Sequence, residues 1–323
     1  MSRFQKARRS LHYPKLLITG MSGAGKTVTA LKAGEEFAKN FAPELGLGPN
    51  ILLLDTEGGS PQQYSPANDS EKSNPDNNIF DFFLEPMEEP YDLGKFAKFL
   101  RELKGIIKEE GISVVIIDSL SHWWFGVGGA LSERDTLAKS TKYNSYSAFA
   151  VVKPKIRKVV EAIIDLDCAV FVTLREKHEY EEIEKTKATG AKFKTYERVG
   201  SKAQFDQDAV YDFDIALQMQ RGAVMVVDKT RYSPWFGLTV VEPDGDFFAQ
   251  YFRHLATGSA DDQDDELANK YRYQDGTFAE TSAEKGIFGE YAAAHDDARP
   301  ESADALRAWY KETRTKEKAG AAS

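Results

Sequence analysis

Residues Gly20-Met21-Ser22-Gly23-Ala24-Gly25-Lys26-Thr27 have the types and spacing of a phosphate cradle. They match G-x-x-x-x-G-K-[ST], entered from the apolar run Leu16-Leu17-Ile18-Thr19 and followed by a helix-compatible stretch from Val28 to Asn40. Glycine at 20, 23 and 25 permits turns that a Cβ would obstruct, so successive backbone N–H groups from Ser22 through Ala24 to Val28 can face phosphate oxygens. Lys26 is expected to reach the β- and γ-phosphates, and the Thr27 hydroxyl to ligate Mg²⁺. The helix that follows points a partially positive N-terminus at the same anion. A nucleoside triphosphate is the ligand this pattern predicts.

A second acid is needed to hold the metal, and Val114-Val115-Ile116-Ile117-Asp118 supplies it at the end of an apolar, β-branched run. Asp118 is followed by Ser119, where many ATPases carry a glutamate. Hydrolysis still requires a group that orients or activates water. Glu57, in Ile51-Leu52-Leu53-Leu54-Asp55-Thr56-Glu57-Gly58-Gly59, is the best candidate, with Asp55 as its rival and an exposed turn residue as the plainer reading.

These residues must be delivered to one place, and the surrounding pattern suggests how. Apolar runs at Lys15–Thr19, Ile51–Asp55, Ser113–Asp118 and Cys168–Leu174 alternate with helical patterns at Lys26–Asn40, Leu93–Glu110 and Tyr146–Ile164. That alternation predicts an α/β fold: a mostly parallel sheet flanked by helices, with its site at the C-terminal ends of the strands. Short spacings near Asp212–Gln220, Ala223–Asp228 and Leu238–Val241 predict added antiparallel strands. Residues 60–78 read as a loop rich in Ser, Pro, Asn and Asp.

Three regions are expected: a basic segment at 1–14, an ATPase core at 15–257, and an acidic linker with a C-terminal helical tail at 258–323. Of the 323 residues, 41% are hydrophobic and 29% charged, enough for a core with a solvated surface. The net charge of −9 argues against a wholesale nucleic-acid binder. It is unevenly placed, however: residues 258–323 hold 15 acidic and 9 basic side chains, while Arg3, Lys6, Arg8, Arg9 and Lys15 face no acid in the first 15. No run of about 18 apolar residues marks a membrane span. The lone Cys168, in an apolar run, suits a buried thiol in the cytoplasm.

The P-loop, a glutamate two residues beyond Asp55 and an Asp118-Ser119 pair together resemble the RecA recombinase superfamily. The segments LLLDTEGG and VVIIDSLSHWW, with REKHEYEE at 175–182, look most like phage-type RecA-like ATPases that include single-strand annealing proteins. The resemblance spans roughly residues 13–252 and implies a RecA-like P-loop core assembled as a homo-oligomer, filament or ring. It also implies basic residues reaching a neighbour's γ-phosphate, for which Lys229 and Arg231 are the matching positions, two apart after Ala223–Val227. A polar γ-phosphate sensor is implied at the end of the Cys168 strand; here the choice is Thr173 or Arg175, and Thr173 is taken.

Two loops would line a DNA path: 121–145, with Trp123, Trp124, Phe125, Lys139, Lys142 and Tyr143, and 175–205. In the second, Lys185, Lys187, Lys192 and Lys194 flank a turn and suggest a basic hairpin, although Glu179, Glu181, Glu182 and Glu184 stand just upstream. Aromatic groups beside cations suit single strands, where stacking contributes roughly 1–3 kcal/mol per base; Trp123 and Trp124 fit core packing equally well. The expected function is an Mg²⁺-dependent ATPase acting on single-stranded DNA in annealing or recombination, with a single-strand-binding protein or another replication protein as a further partner. The alternative is a P-loop ATPase that serves as motor, loader or regulator on protein partners. A small-molecule kinase is disfavoured, since no basic lid pattern appears.

Overall fold

The computed structural model describes residues 12–68, 70–140, 142–186 and 192–257, with scattered positions between 291 and 313. In chain order the strands and helices are β1 (Lys15–Gly20), α1 (Lys26–Asn40), β2 (Asn50–Asp55), β3 (Phe83–Pro86), α2 (Leu93–Ile106), β4 (Ile112–Asp118), α3 (His122–Phe125), α4 (Ala130–Ala138), α5 (Ser145–Ile164), β5 (Ala169–Thr186), β6 (Lys192–Ala203), β7 (Ile215–Gln220), β8 (Val224–Thr230), β9 (Thr239–Val241) and α6 (Gly245–Thr257).

Eight strands lie side by side in the order β3-β2-β4-β5-β1-β7-β8-β9, and β6 pairs with β5 off this path. From β3 to β7 every pairing is parallel; β8 and β9 add antiparallel strands at one end. The mixed α/β architecture read from the sequence is therefore the observed one.

Strand periodicity divides the core in two. Leu17, Val115, Ile117, Val170 and Val172 face one side and pack with Phe96, Leu100, Ile156 and Val159 of α2 and α5. Leu16, Ile18, Val114, Ile116 and Phe171 face the other and pack with Phe37 of α1 and Phe248 and Phe252 of α6. Strands covered on both faces have no polar alternation, which is why β4 reads as a continuous apolar run. Local caps fix the helix starts. Asp92 accepts a hydrogen bond from the Lys95 N–H at α2, and Asn144 forms a capping box with Ser147 at α5.

Several expectations are revised. The 121–145 segment is not an open loop but carries α3 and α4, and edge strand β3 and helix α6 were not foreseen. Strand β5 runs to Thr186 rather than ending at Leu174, and its outer half pairs with β6 as a long antiparallel ribbon, the hairpin expected there. Residues 60–78 contain 3-10 turns at Ser60–Tyr64 and Pro75–Asn77. The 1–11 segment and the acidic linker at 258–266 lie outside the described residues. Of the C-terminal tail, positions 304–306 and 308–310 are helical, with Leu306 buried and the Trp309 ring against Tyr291. Among the described residues no helix is long and apolar enough to cross a membrane.

Candidate active site

The C-terminal ends of β1, β2 and β4 converge beside Thr173 and Arg175 of β5, because these strands are parallel and nearly in register: Gly20 lies opposite Arg175, and Asp55 opposite Asp118. Gly20 is required where it stands, since a Cβ there would come within 2.4 Å of the Met219 carbonyl oxygen. Gly25 caps α1 in the left-handed region, with φ of 91°, which turns the chain from loop into helix. Ala24 packs into the core, while Ser22 and Gly23 are exposed on the loop's outer side and Val28 is half-buried.

Lys26 is folded over its own loop, its Nζ donating to the Met21 carbonyl at 3.0 Å. Burial holds its pKa below the ordinary lysine value, and the Asp118 and Glu57 carboxylates partly offset that shift. Asp118 is buried at the end of β4; Thr27 Oγ1 donates to its Oδ2 at 2.6 Å, and Thr173 Oγ1 donates to its Oδ1. Burial raises the Asp118 pKa, and the two hydroxyl donors pull against it. The Asp118–Ser119 peptide is cis, and Ser119 Oγ is buried with no hydrogen-bond partner.

A hydroxyl and a carboxylate that touch each other beside a phosphate cradle are a hard-oxygen donor pair. They suit Mg²⁺, which keeps several waters and shares its remaining ligands with substrate phosphates. The orphaned Ser119 hydroxyl beside them is a further polar group that would suit a hydrated cation. No cluster of three or more His, Cys, Asp or Glu that could cage a metal occurs among the described residues.

The turn after β2 separates two acids that sequence left in competition. Asp55 is buried, and its oxygens accept the N–H groups of Glu57 and Gly59, each at 2.6 Å. It therefore shapes the turn and presents Glu57 to the site. Glu57 in turn forms a two-pronged ion pair with Arg175, whose Nε donates to Oε1 at 2.7 Å while the second guanidinium nitrogen engages Oε2. Nearby, Thr56 Oγ1 lies 2.6 Å from His122 Nδ1 and accepts the Ser119 N–H at 2.8 Å, which ties the turn to the segment after β4. Burial, reinforced by the Arg175 charge, holds His122 below its ordinary pKa.

The geometry bears on three further readings. Thr173, taken as the γ-phosphate sensor, is fully buried with its hydroxyl spent on Asp118; Arg175, the other choice, is the side chain that faces the site from β5. Lys229 and Arg231 lie at the opposite edge of the sheet, where β8 runs back past the start of β7. Lys229 Nζ donates to the carbonyls of Val210, Tyr211 and Phe213, and Arg231 pairs with Asp214 at 3.1 Å and also donates to the Tyr211 carbonyl. They point the same way, as their spacing predicts, but they bind their own chain rather than presenting free cations to a neighbour. Trp123 is a core residue, buried and stacked on Phe96 with ring centroids 3.7 Å apart.

Sequence reasoning missed Glu176, whose carboxylate accepts from Thr19 Oγ1 (2.8 Å), Ser201 Oγ (2.6 Å) and Gln218 Nε2 (3.1 Å). It fastens the root of the β5–β6 ribbon to β1 and β7. Its only signal was its place directly after Arg175.

Of the basic residues proposed for nucleic acid, Lys185, Lys192 and Lys194 fall on the two arms of the ribbon by backbone pairing; Lys187 lies outside the described residues. Lys142 is exposed, its Nζ 5.2 Å from the Tyr143 ring centroid. At the ribbon's root a cavity of about 590 Å³ is lined by Trp124, Phe125, Phe205, Lys177, Lys202 and His178, among others.

A P-loop opening helix α1, a buried carboxylate on the next strand but one, and a parallel sheet that brings them together define a P-loop nucleoside triphosphatase. The family model for the AAA domain matches residues 12–233, more than half of the chain, and the chain belongs to this family. No curated protein matches it.

Proposed function

We propose that the protein is an Mg²⁺-dependent ATPase of RecA-like type that acts on single-stranded DNA in annealing or recombination. The observation that supports the reading best is the path of β5. The strand passes Asp118 and Glu57 at its middle and continues as the ribbon whose root holds the aromatic and basic cavity.

In this reading Lys26 leaves the Met21 carbonyl for the β- and γ-phosphates, and the backbone N–H groups of the loop hold the same oxygens. Thr27 and Asp118 would hold Mg²⁺, which offsets charge on the transferred phosphoryl group. Glu57, presented by Asp55, accepts a hydrogen bond from the attacking water and takes its proton as the water oxygen bonds to the γ-phosphorus and the bond from that phosphorus to the bridging oxygen breaks, the oxygen leaving with ADP. Trp124, Phe125 and Phe205 offer flat faces to bases, and Lys177 and Lys202, both exposed, offer charge to the backbone. Assembly as a filament or ring belongs to this reading through the resemblance alone; Lys229 and Arg231 lend it no support.

Fluorescence anisotropy of a labelled single-stranded oligonucleotide tests the DNA half. We expect binding that tightens with a non-hydrolysable ATP analogue and weakens linearly in log[salt], and that Trp124→Ala and Lys202→Ala reduce. Absence of salt-dependent binding in either nucleotide state would move the reading to an ATPase that works on protein partners.

A further inference from the structure

We infer that His122 is a positioning residue for hydrolysis: its ring nitrogen holds the Thr56 hydroxyl and so fixes the turn that carries Glu57 against the turn that follows Asp118. The inference rests on the ATPase reading above. It begins where the sheet stops. The β2–β4 ladder ends with Asp55 opposite Asp118, one residue short of Thr56 and two short of Glu57. Past that point the two turns need another tie, because in-line attack requires a water on Glu57 and a metal on Asp118 in fixed relation.

Thr56 is where the turns are joined. Its N–H donates to the Asp118 carbonyl at 2.9 Å, and its Oγ1 accepts the Ser119 N–H at 2.8 Å. The same oxygen lies 3.0 Å from the Ser119 carbonyl and 2.6 Å from His122 Nδ1. A hydroxyl has one proton and rotates to suit its neighbours. With Nδ1 as acceptor the Thr56 proton points at the ring; with Nδ1 as donor it turns to the Ser119 carbonyl. Either tautomer of His122 leaves the oxygen, and with it the turn, in place.

The ring is itself held by two aromatic neighbours. Tyr91 stacks on it with centroids 5.4 Å apart and planes 25° from parallel, and Phe125 meets it at 5.2 Å. Tyr91 is buried, and its N–H donates to the Val127 carbonyl at 2.8 Å, which anchors the stack to the chain after α3. Burial and the Arg175 charge keep the imidazole neutral, so it supplies a hydrogen bond to the turn without a second cation beside Glu57. Packing alone asks only for a flat ring at this place. The short contact with Thr56 asks for a nitrogen.

Phosphate release and the affinity for a non-hydrolysable ATP analogue, measured together for wild type, His122→Phe and His122→Asn, test the role. His122→Phe keeps a ring against Tyr91 but has no Nδ1. It should lower kcat by about tenfold to 10²-fold, the scale of a displaced reacting group, while the analogue's affinity stays within about twofold. His122→Asn puts an amide close to the Nδ1 position and should recover most of the lost rate. A His122→Phe kcat within about twofold of wild type, or a His122→Asn protein no faster than His122→Phe, overturns the inference. Equal losses in kcat and in affinity would mark a merely structural ring and overturn it too. Should His122→Phe fail to fold, a structure of the wild type with the analogue decides. Nδ1 on the Thr56 hydroxyl with a water on Glu57 supports the role, and a ring turned away from Thr56 ends it. Phosphate release by wild type with an unaffected His122→Phe sinks the positioning role alone, whereas no release by wild type sinks the ATPase reading beneath it.

Discussion

Asp118 shows how much of a residue's role depends on contacts that sequence keeps far apart. A buried carboxylate is costly unless its oxygens are satisfied, and here the hydroxyls of Thr27 and Thr173 satisfy it from 91 and 55 positions away. The Asp118 position itself was legible, because an apolar run ending in an acid is a local pattern. Thr173, where its apolar run ends, fits a phosphate contact as well as a carboxylate contact, and only the β4–β5 packing puts its hydroxyl on Asp118. Removing one of two donors to a buried charge should cost roughly 1–3 kcal/mol. Thr173→Val is therefore expected to lower stability by that amount in urea denaturation while keeping nucleotide affinity within a few-fold. A selective loss of triphosphate over diphosphate affinity in this variant would return the sensor role to Thr173.

Elements with their own periodicity or capping signals were read closely: α1 has the expected bounds, and β1, β2 and β4 differ from expectation by a residue. Elements defined by a partner were not. The outer half of β5 is charged and polar, with no apolar alternation, and is a strand because β6 pairs with it over Glu176–Thr186. Strand alternation likewise put Lys229 and Arg231, at and just past the end of β8, on one side of the chain but could not say at which edge of the sheet β8 ends. The structure gives Lys229 three carbonyl acceptors at the far edge, so Lys229→Ala should behave as a packing and hydrogen-bond lesion. A loss of roughly 1–3 kcal/mol in denaturation, with kcat changed less than about threefold, is the expected result. Preserved stability with kcat reduced about 10³-fold, the scale of an arginine finger, would restore the action across a subunit boundary.

At the scale of the whole molecule, Lys15 and Cys168 join β1 to the start of β5 in the core. Lys15 Nζ donates to the carbonyls of Leu166 and Cys168 at 2.7 and 2.8 Å, and burial lowers its pKa from 10.5 to about 8. The folded state therefore binds fewer protons than the unfolded chain between about pH 8 and 10.5, so this group destabilises fully below pH 8 and progressively less above it. Cys168 works the other way: burial pushes its thiol from 9.0 to about 12, so its contribution falls once pH exceeds 9. Stability should rise by about 1 kcal/mol from pH 8 to 9 and then level off or fall as the thiol opposes the amine. Lys15→Met should abolish the rise, as read by urea denaturation at half-unit pH steps. A wild-type profile that is flat or falling from pH 8 to 9 would show Lys15 to be charged in the core.

In the proposed reading the P-loop and Asp118 would hold a triphosphate and its metal, and turnover would depend on Glu57; that dependence is the most direct handle on the reading. Steady-state phosphate release by wild type and Glu57→Gln, each with nucleotide affinity measured in parallel, should show unchanged or tighter ATP binding and kcat lowered about 10²-fold or more in the variant. A Glu57→Gln protein that hydrolyses ATP at close to the wild-type rate would contradict the account at its centre.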